Sequence, residues 1–228
     1  MKRSRTVFEV NSEMSGRIRV IEDLRERRLV VAGEILSIYP RNGDWSRVKH
    51  EYWWKALEGL ALPPRPSALF VGLGGGTQLH LLRQISSPRR ITVIERDPAI
   101  VDIASDWFGL DGISGIEFCC GEAAQLIPGL ARLRRRFDFV MEDAAYGLEV
   151  DGAIDLARSL AALVSRRGTL VLNRHWRRDA HRVAATVRPL FRDVWSIRVK
   201  REGENVLIFC TRPRDSRGDG FDHRGKRL

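Results

Sequence analysis

The chain has 228 residues, of which 43% are hydrophobic, and a formal net charge of +10. That length gives room for one α/β domain with a real core plus a small appendage, and no second large domain is expected. Three cysteines, two of them adjacent at Cys119 and Cys120, exclude a disulfide framework, and no window approaches the roughly 18 apolar residues of a membrane span.

The charge sits mainly at the termini: residues 1–6 carry +3, residues 212–228 carry +3, and +4 remains for the body. That distribution argues against a nucleic-acid footprint. With Cys210, the cysteines read as buried thiols in a reducing compartment, and the first residues lack the apolar core of a signal peptide, so a cytoplasmic location is expected.

Four short β-prone runs open the chain, at Val7–Val10, Arg17–Ile21, Arg28–Val31 and Glu34–Tyr39, separated by turn residues at Asn11–Ser12, Glu22–Asp23 and Gly33. They predict a small antiparallel layer that must pack on something larger. Asp44 is a plausible N-cap, and Val48, Tyr52, Leu57 and Leu60 suggest one helix reaching Leu62, with Tyr52, Trp53 and Trp54 in core or interface. Pro63, Pro64 and Pro66 stop it. Residues 1–62 are read as this layer and its linking helix, 63–211 as a nucleoside-binding domain, and 212–228 as a disordered basic tail.

The central stretch follows. An apolar strand, Ala68–Val71, leads into Gly72-Leu73-Gly74-Gly75-Gly76-Thr77, a helix, and a second strand, Ile91–Ile94, closed by Glu95. Gly72, Gly74 and Gly76 permit positive φ and close backbone approach, and a carboxylate 19 residues after Gly76 is placed to accept both ribose hydroxyls of a nucleoside. Either feature alone is also met in plain structural turns; together they point to a nucleotide-binding βαβ unit.

Asp97-Pro98 then starts a helix whose apolar face ends at Gly109. Next come a strand at Ile116–Cys120, a helix from about Glu122 to Leu133, a strand at Phe137–Glu142, and a helix at Asp151–Val164 ended by Gly168. A buried strand at Thr169–Leu172, a helix at Arg177–Leu190, and a hairpin of Val194–Val199 with Val206–Thr211 complete the chain. The alternation predicts an open, mostly parallel Rossmann-like α/β sheet, with ligands beyond the carboxyl ends of its strands. Four places meet that condition: Gly72–Thr77, Glu95, Gly121-Glu122 and Asp143. Glu122 could accept from an adenine amino group or only start a helix, and Asp143 could meet an acceptor or only cap a loop. No Walker lysine, metal-spaced cluster or serine elbow is present, so no metal is expected, and His80 reads as structural.

These residues resemble the spermidine-synthase-like aminopropyltransferases, a branch of the class I S-adenosylmethionine-dependent methyltransferase fold. The matches run from about Gly16 to Thr211: Val31-Ala32-Gly33-Glu34, His50-Glu51, Leu69–Thr77, Val93–Asp97, Gly121-Glu122 and Phe137–Asp143. The resemblance implies S-adenosylmethionine or its decarboxylated form as co-substrate, with Glu95 on the ribose, Glu122 on the adenine edge, His50 on the sulfur side and Asp143 on the amine nucleophile. A homodimer and a small-molecule amine or other nucleophilic acceptor fit the same resemblance.

Three positions depart from that family's pattern. Gly75 replaces the Asp that binds the aminopropyl ammonium, Lys49 stands where a Tyr precedes His-Glu, and Tyr146 replaces the Asp that holds the far ammonium of putrescine. An unpaired buried ammonium is costly, so ordinary putrescine is not the expected acceptor. Three functions remain open: aminopropyl transfer to another amine, methyl transfer, which the loss at Gly75 favours, or a non-catalytic nucleoside-binding scaffold.

Overall fold

Alternating burial along the first residues produces four strands, β1 (Arg5–Ser12), β2 (Gly16–Glu22), β3 (Glu26–Val31) and β4 (Glu34–Pro40), in a sequential antiparallel sheet. In β2, Ile18 and Val20 point inward while Arg17 is exposed, the period-2 signature of a half-buried strand. The computed structural model describes residues 4–144, 149–175, 179–199 and 205–214. Tyr146 and the tail beyond Arg214 lie outside them.

The single helix expected from Asp44 to Leu62 is replaced by a 3-10 turn at Ser46–His50 and one short α-helix, α1 (Tyr52–Lys55). Glu51 between them is extended, with φ −89° and ψ 162°, so the i to i−4 ladder cannot run through it. The break lets Trp53 enter the core while Tyr52 faces the large sheet.

The rest of the chain alternates as expected. It runs β5 (Ser67–Val71), α2 (Thr77–Ile85), β6 (Arg90–Glu95), α3 (Pro98–Phe108), β7 (Ile116–Cys120), α4 (Ala123–Arg132) and β8 (Phe137–Glu142). It continues with α5 (Val150–Ala161), β9 (Val164–His175), α6 (Ala180–Val187), β10 (Phe191–Val199) and β11 (Asn205–Pro213). The sheet order is β10-β11-β9-β8-β5-β6-β7, with β5 to β9 parallel and β11 antiparallel between β9 and β10. Chain direction across the sheet reverses at β5, and such a switch point opens a crevice at the carboxyl ends of the strands.

Both caps of α3 hold where sequence places them, with Asp97 accepting from the Ala99 amide at 3.0 Å and Gly109 left-handed at φ 70°, whereas Asp44 starts no α-helix and accepts from the Ser46 amide at 2.9 Å ahead of the 3-10 turn. Several boundaries move. The helix expected to reach Val164 stops at Ala161, and Val164 opens β9, which contains Gly168 instead of being preceded by it. A Cβ at Gly168 would lie 2.7 Å from the Phe137 carbonyl oxygen, so glycine there serves close strand approach and no helix end. The last helix spans Ala180–Val187 followed by a 3-10 turn at Arg188–Leu190, tightened by Pro189; residues 176–178 lie outside the description. Cys210 is buried, whereas Cys119 is half-buried and Cys120 exposed, because both lie on the edge strand β7.

Each face of the large sheet carries its own core. Phe70, Phe139, Met141 and Val171 pack on the side of α2 and α3, together with Ile18, Val20 and Leu29 from the small sheet. Leu69, Val71, Val140, Leu170 and Leu172 pack on the side of α4, α5 and α6. The small sheet is pinned to the glycine turn: Thr77 Oγ1 accepts from the Ile38 amide at 3.0 Å and donates to its carbonyl at 2.9 Å. Ser12 donates to Asp97 at 2.6 Å, and Arg27 donates to the Trp107 carbonyl.

Candidate active site

The glycine turn has the backbone its sequence demands, with φ of 90° at Gly72, 54° at Gly74 and 78° at Gly76. The space that a Cβ would fill is taken by protein: at Gly72 the Asp143 carbonyl oxygen would lie 3.0 Å away, and at Gly76 a Leu110 methyl 2.7 Å away. These glycines let β5, β8 and β4 converge around the turn. At Gly75 a Cβ would meet the Phe108 ring at 2.8 Å and Ser37 Cβ at 2.9 Å, and the Gly75 amide donates to Ser37 Oγ at 2.6 Å. The position that departs from the family's Asp is therefore filled from behind by β4 and α3.

Glu95, at the end of β6, accepts from the Leu73 amide through Oε2 and from the Asp97 amide through Oε1, both at 3.0 Å. It ties the glycine turn to the start of α3. Each carboxylate oxygen keeps a further lone pair. Burial raises its pKa against those backbone bonds, so it is a carboxylate held where water cannot fully solvate it. Glu122 stands at the N-cap of α4, exposed, without a side-chain cap bond to the helix, so its carboxylate does not serve the helix start.

Across the switch point lies Asp143, whose amide donates to the Val71 carbonyl at 2.9 Å. Its two oxygens are engaged separately: Tyr52 donates its hydroxyl to Oδ2 at 2.8 Å, and Asn173 donates Nδ2 to Oδ1 at 2.7 Å. Burial pushes the Asp143 carboxyl up to about 6, opposed by the Asn173 and Tyr52 bonds, raised further by Glu142 and lowered by Arg174. Glu142 and Arg174 form an ion pair in the sheet beneath it, both nearly inaccessible. Asn173 Oδ1 and Arg174 Nε are buried without a hydrogen-bond partner.

The structure thus brings Gly72, Gly74, Gly76, Glu95 and Asp143 to one edge of the sheet, with Glu122 at the neighbouring strand end. His50 is exposed at the end of the 3-10 turn, two residues before Tyr52. Lys49, in the family's Tyr position, turns away with its ammonium 4.9 Å from the Trp54 ring. The hydroxyl on Asp143 comes instead from Tyr52. Neither Tyr52 nor Asn173 was expected here; Asn173 follows a predicted strand directly and could have been found by the strand-end rule, whereas Tyr52 carries no such signal. His80 is structural as expected: its Nε2 bonds the Phe108 carbonyl at 2.8 Å, its ring stacks on Trp45, and burial lowers its pKa. Among the described residues no group of three or more His, Cys, Asp or Glu is placed to hold a metal ion, and no helix is long and apolar enough to cross a membrane.

No family model matches the chain. It is 30% identical over 156 residues to the eEF1A lysine and N-terminal methyltransferase of Danio rerio, covering 63% of this chain and 23% of that protein. It is 25% identical over 167 residues to the polyamine aminopropyltransferase of Vibrio vulnificus, covering 71% of this chain and 56% of that one. The chain therefore spans about a quarter and just over half of these curated relatives. A spermidine synthase solved with the transition state analogue AdoDATO superposes with TM-score 0.69 at 12% identity, over 91% of this chain and 72% of that one. Human methyltransferase-like protein 13, solved with SAH, superposes with TM-score 0.59 at 19% identity, over 73% and 83%. Strand order, switch point and superpositions agree: the chain has the class I S-adenosylmethionine-dependent methyltransferase fold in its spermidine-synthase-like form.

Proposed function

We propose that the chain is a transferase that binds an S-adenosylmethionine-type nucleoside and alkylates an amine. The observation that carries this is the Tyr52–Asp143–Asn173 arrangement. A carboxylate with a raised pKa, held by one donor on each oxygen, sits at the strand end where an incoming nucleophile meets the crevice. An amine brought to Asp143 would give up a proton to it while its nitrogen attacks the carbon next to the sulfonium. The carbon–sulfur bond breaks, its electrons stay on sulfur, and a neutral thioether nucleoside leaves. Alignment and a base suffice for this in-line displacement. Glu95 is the proposed ribose ligand, Glu122 the adenine-edge ligand, and His50 the group on the sulfur side. Both curated relatives are named for transfer to amines or amine-bearing residues, which supports an amine acceptor.

Two donors remain, and the first reading is transfer of an aminopropyl or related group to an amine other than putrescine. Gly75 favours the second, methyl transfer. The family's ammonium-binding Asp is absent there, and Phe108 and Ser37 occupy the space its Cβ would need. A donor that keeps its own carboxylate does not require that partner. The deciding experiment is thermal shift with S-adenosylmethionine, its decarboxylated form and methylthioadenosine, followed by mass-resolved product analysis with each donor and a panel of primary amines. A ligand at a hundredfold excess over its dissociation constant stabilises by about 2.7 kcal/mol, roughly 5 to 10 °C for this size. No shift with any nucleoside at millimolar concentration rules out both transfer readings; robust spermidine formation from putrescine overturns the argument from Gly75.

A further inference from the structure

The body of the chain carries little net charge when summed along the sequence, yet the fold segregates it. The carboxylates Glu95, Glu142 and Asp143 gather at the carboxyl ends of the parallel strands. At the amino ends of the same strands stand arginines: Arg89 and Arg90 at β6, Arg134 and Arg136 before β8, and Arg166 and Arg167 at the start of β9, all exposed. Arg65, two residues before β5, is exposed between them.

Their neighbourhood is fixed by the strand starts. The Arg89 amide donates to the Pro66 carbonyl at 3.0 Å, Arg90 is in register with Ser67, and Ser67 Oγ donates to the Arg136 carbonyl at 3.3 Å. Phe137 is in register with Val164, and Ser165 donates to Asp138 at 2.9 Å. The carboxylates within these strand-start segments are Asp138 and Glu117, and both are engaged. Asp138 accepts from Ser67 and Ser165, with Arg89 at 3.9 Å, and Glu117 accepts from Arg135 at 2.8 Å. The row is therefore cationic in excess of its local acids.

We propose that this edge, opposite the candidate active site, docks the phosphate backbone of a nucleic acid. Adjacent strands lie about 4.8 Å apart, so the row across β9, β8, β5 and β6 spans about 14 Å before side-chain reach, which leaves room for several successive phosphates. Guanidinium forks take phosphate oxygens in bidentate pairs, and every basic group in the row is an arginine. The strand-start positions offer arginines to the polymer, and the exposed Trp195 lines a cavity with Arg167 at one end of the row, so contact along the row is mainly to backbone and largely independent of sequence. This inference does not depend on the proposed transfer chemistry.

The test uses the full chain and a fluorescein-labelled 20-nucleotide single-stranded RNA of mixed sequence, with anisotropy read from about 50 to 300 mM salt. Contacts from five to six of the seven arginines in the row predict a log–log slope of about −4, at roughly 0.7 per phosphate. Arg90→Gln with Arg136→Gln should make that slope less negative by about 1.4 and weaken binding about 25-fold at 0.1 M salt, from roughly 5-fold per contact over the decade to 1 M. Arg166→Gln with Arg167→Gln, at the other end of the row, should do the same. Melting temperature and nucleoside shift should not move in either. Unchanged affinity and slope in both variants would place binding in the basic termini and overturn the proposal. Equal binding, at the same salt, of poly-glutamate or of vesicles containing anionic lipid would overturn it in favour of an acidic protein or a membrane.

Discussion

At the ends of β5 and β6, side chains serve backbone. Glu95 accepts from Leu73 and Asp97, Ser37 accepts from Gly75, and Thr77 both donates to and accepts from Ile38. At the ends of β8 and β9, side chains meet side chains: Tyr52 and Asn173 hold a carboxylate shifted up to about 6, with two buried polar atoms left unpartnered. The first region is tied to backbone throughout, with Gln78 Nε2 at the start of α2 its one buried side-chain atom without a partner among the described residues, so changes there should cost stability along with ligand affinity. The second holds a charge where burial opposes it, so changes there should cost activity while relieving the fold.

Asp143→Asn should show the largest effect and the clearest separation. Losing a positioned base typically lowers the turnover rate by about 10² to 10⁴-fold. The folded carboxyl titrates near 6, above its ordinary value near 4, so the folded state binds more protons between those limits. Stability should therefore fall as pH rises through that window, and the full penalty should be present above it. Removing the charge is expected to raise the melting temperature at pH 8, by an amount worth roughly 1 to 3 kcal/mol, and to change little at pH 4. Asn173 can turn its unpartnered Oδ1 toward the new amide. A mutant that melts lower at pH 8 would break the contrast between the two regions.

Glu95→Gln should do the reverse. Loss of a charge-assisted contact to ribose is worth about 1.5 to 3 kcal/mol, roughly 10- to 150-fold in nucleoside affinity by titration calorimetry. Sequence alone suggests a solvent-facing carboxylate whose replacement changes folding by less than about 0.5 kcal/mol. The two backbone bonds raise that expectation to about 1 to 2 kcal/mol, because a glutamine offers one acceptor where two amides need one each. Lower stability with unchanged nucleoside affinity would make Glu95 purely structural.

The contrast also explains what could be read before the fold was known. Gly72 and Glu95 belong to one βαβ unit, so local pattern suffices to place them together. Tyr52, Asp143 and Asn173 come from a short helix and two strand ends, and only the sheet order brings them within hydrogen-bond reach. Apolar spacing from Val48 to Leu60 matches a helix well, but periodicity carries no signal that Glu51 is extended. That break aims Tyr52 at Asp143. Likewise, the charge sum along the chain cannot show that arginines before separate strands share one edge.

Tyr52→Phe is a smaller test of the same region. The hydroxyl bond favours the ionised carboxylate, so its loss should move the acid limb of the pH–rate profile above 6 and lower the rate near neutral pH by about 10-fold. An unshifted limb would reduce Tyr52 to packing.

The smallest expected effect lies at Gly75, and it bears on which group is transferred. A methyl added there would stand 2.8 Å from the Phe108 ring and 2.9 Å from Ser37 Cβ, so α3 or β4 must give way. Overpacking of this kind costs about 1 to 3 kcal/mol, and Gly75→Ala adds the least possible volume. A fall in melting temperature of about 2 to 12 °C is expected for a domain of this size. Gly75→Asp should destabilise at least as much and confer no preference for the decarboxylated nucleoside, because its carboxylate would be driven toward Phe108 before it could meet a propylammonium. If the aspartate variant instead keeps its stability and binds the decarboxylated form more tightly than the parent does, the turn has room for an ammonium partner. The argument for a methyl donor would then lose its structural basis.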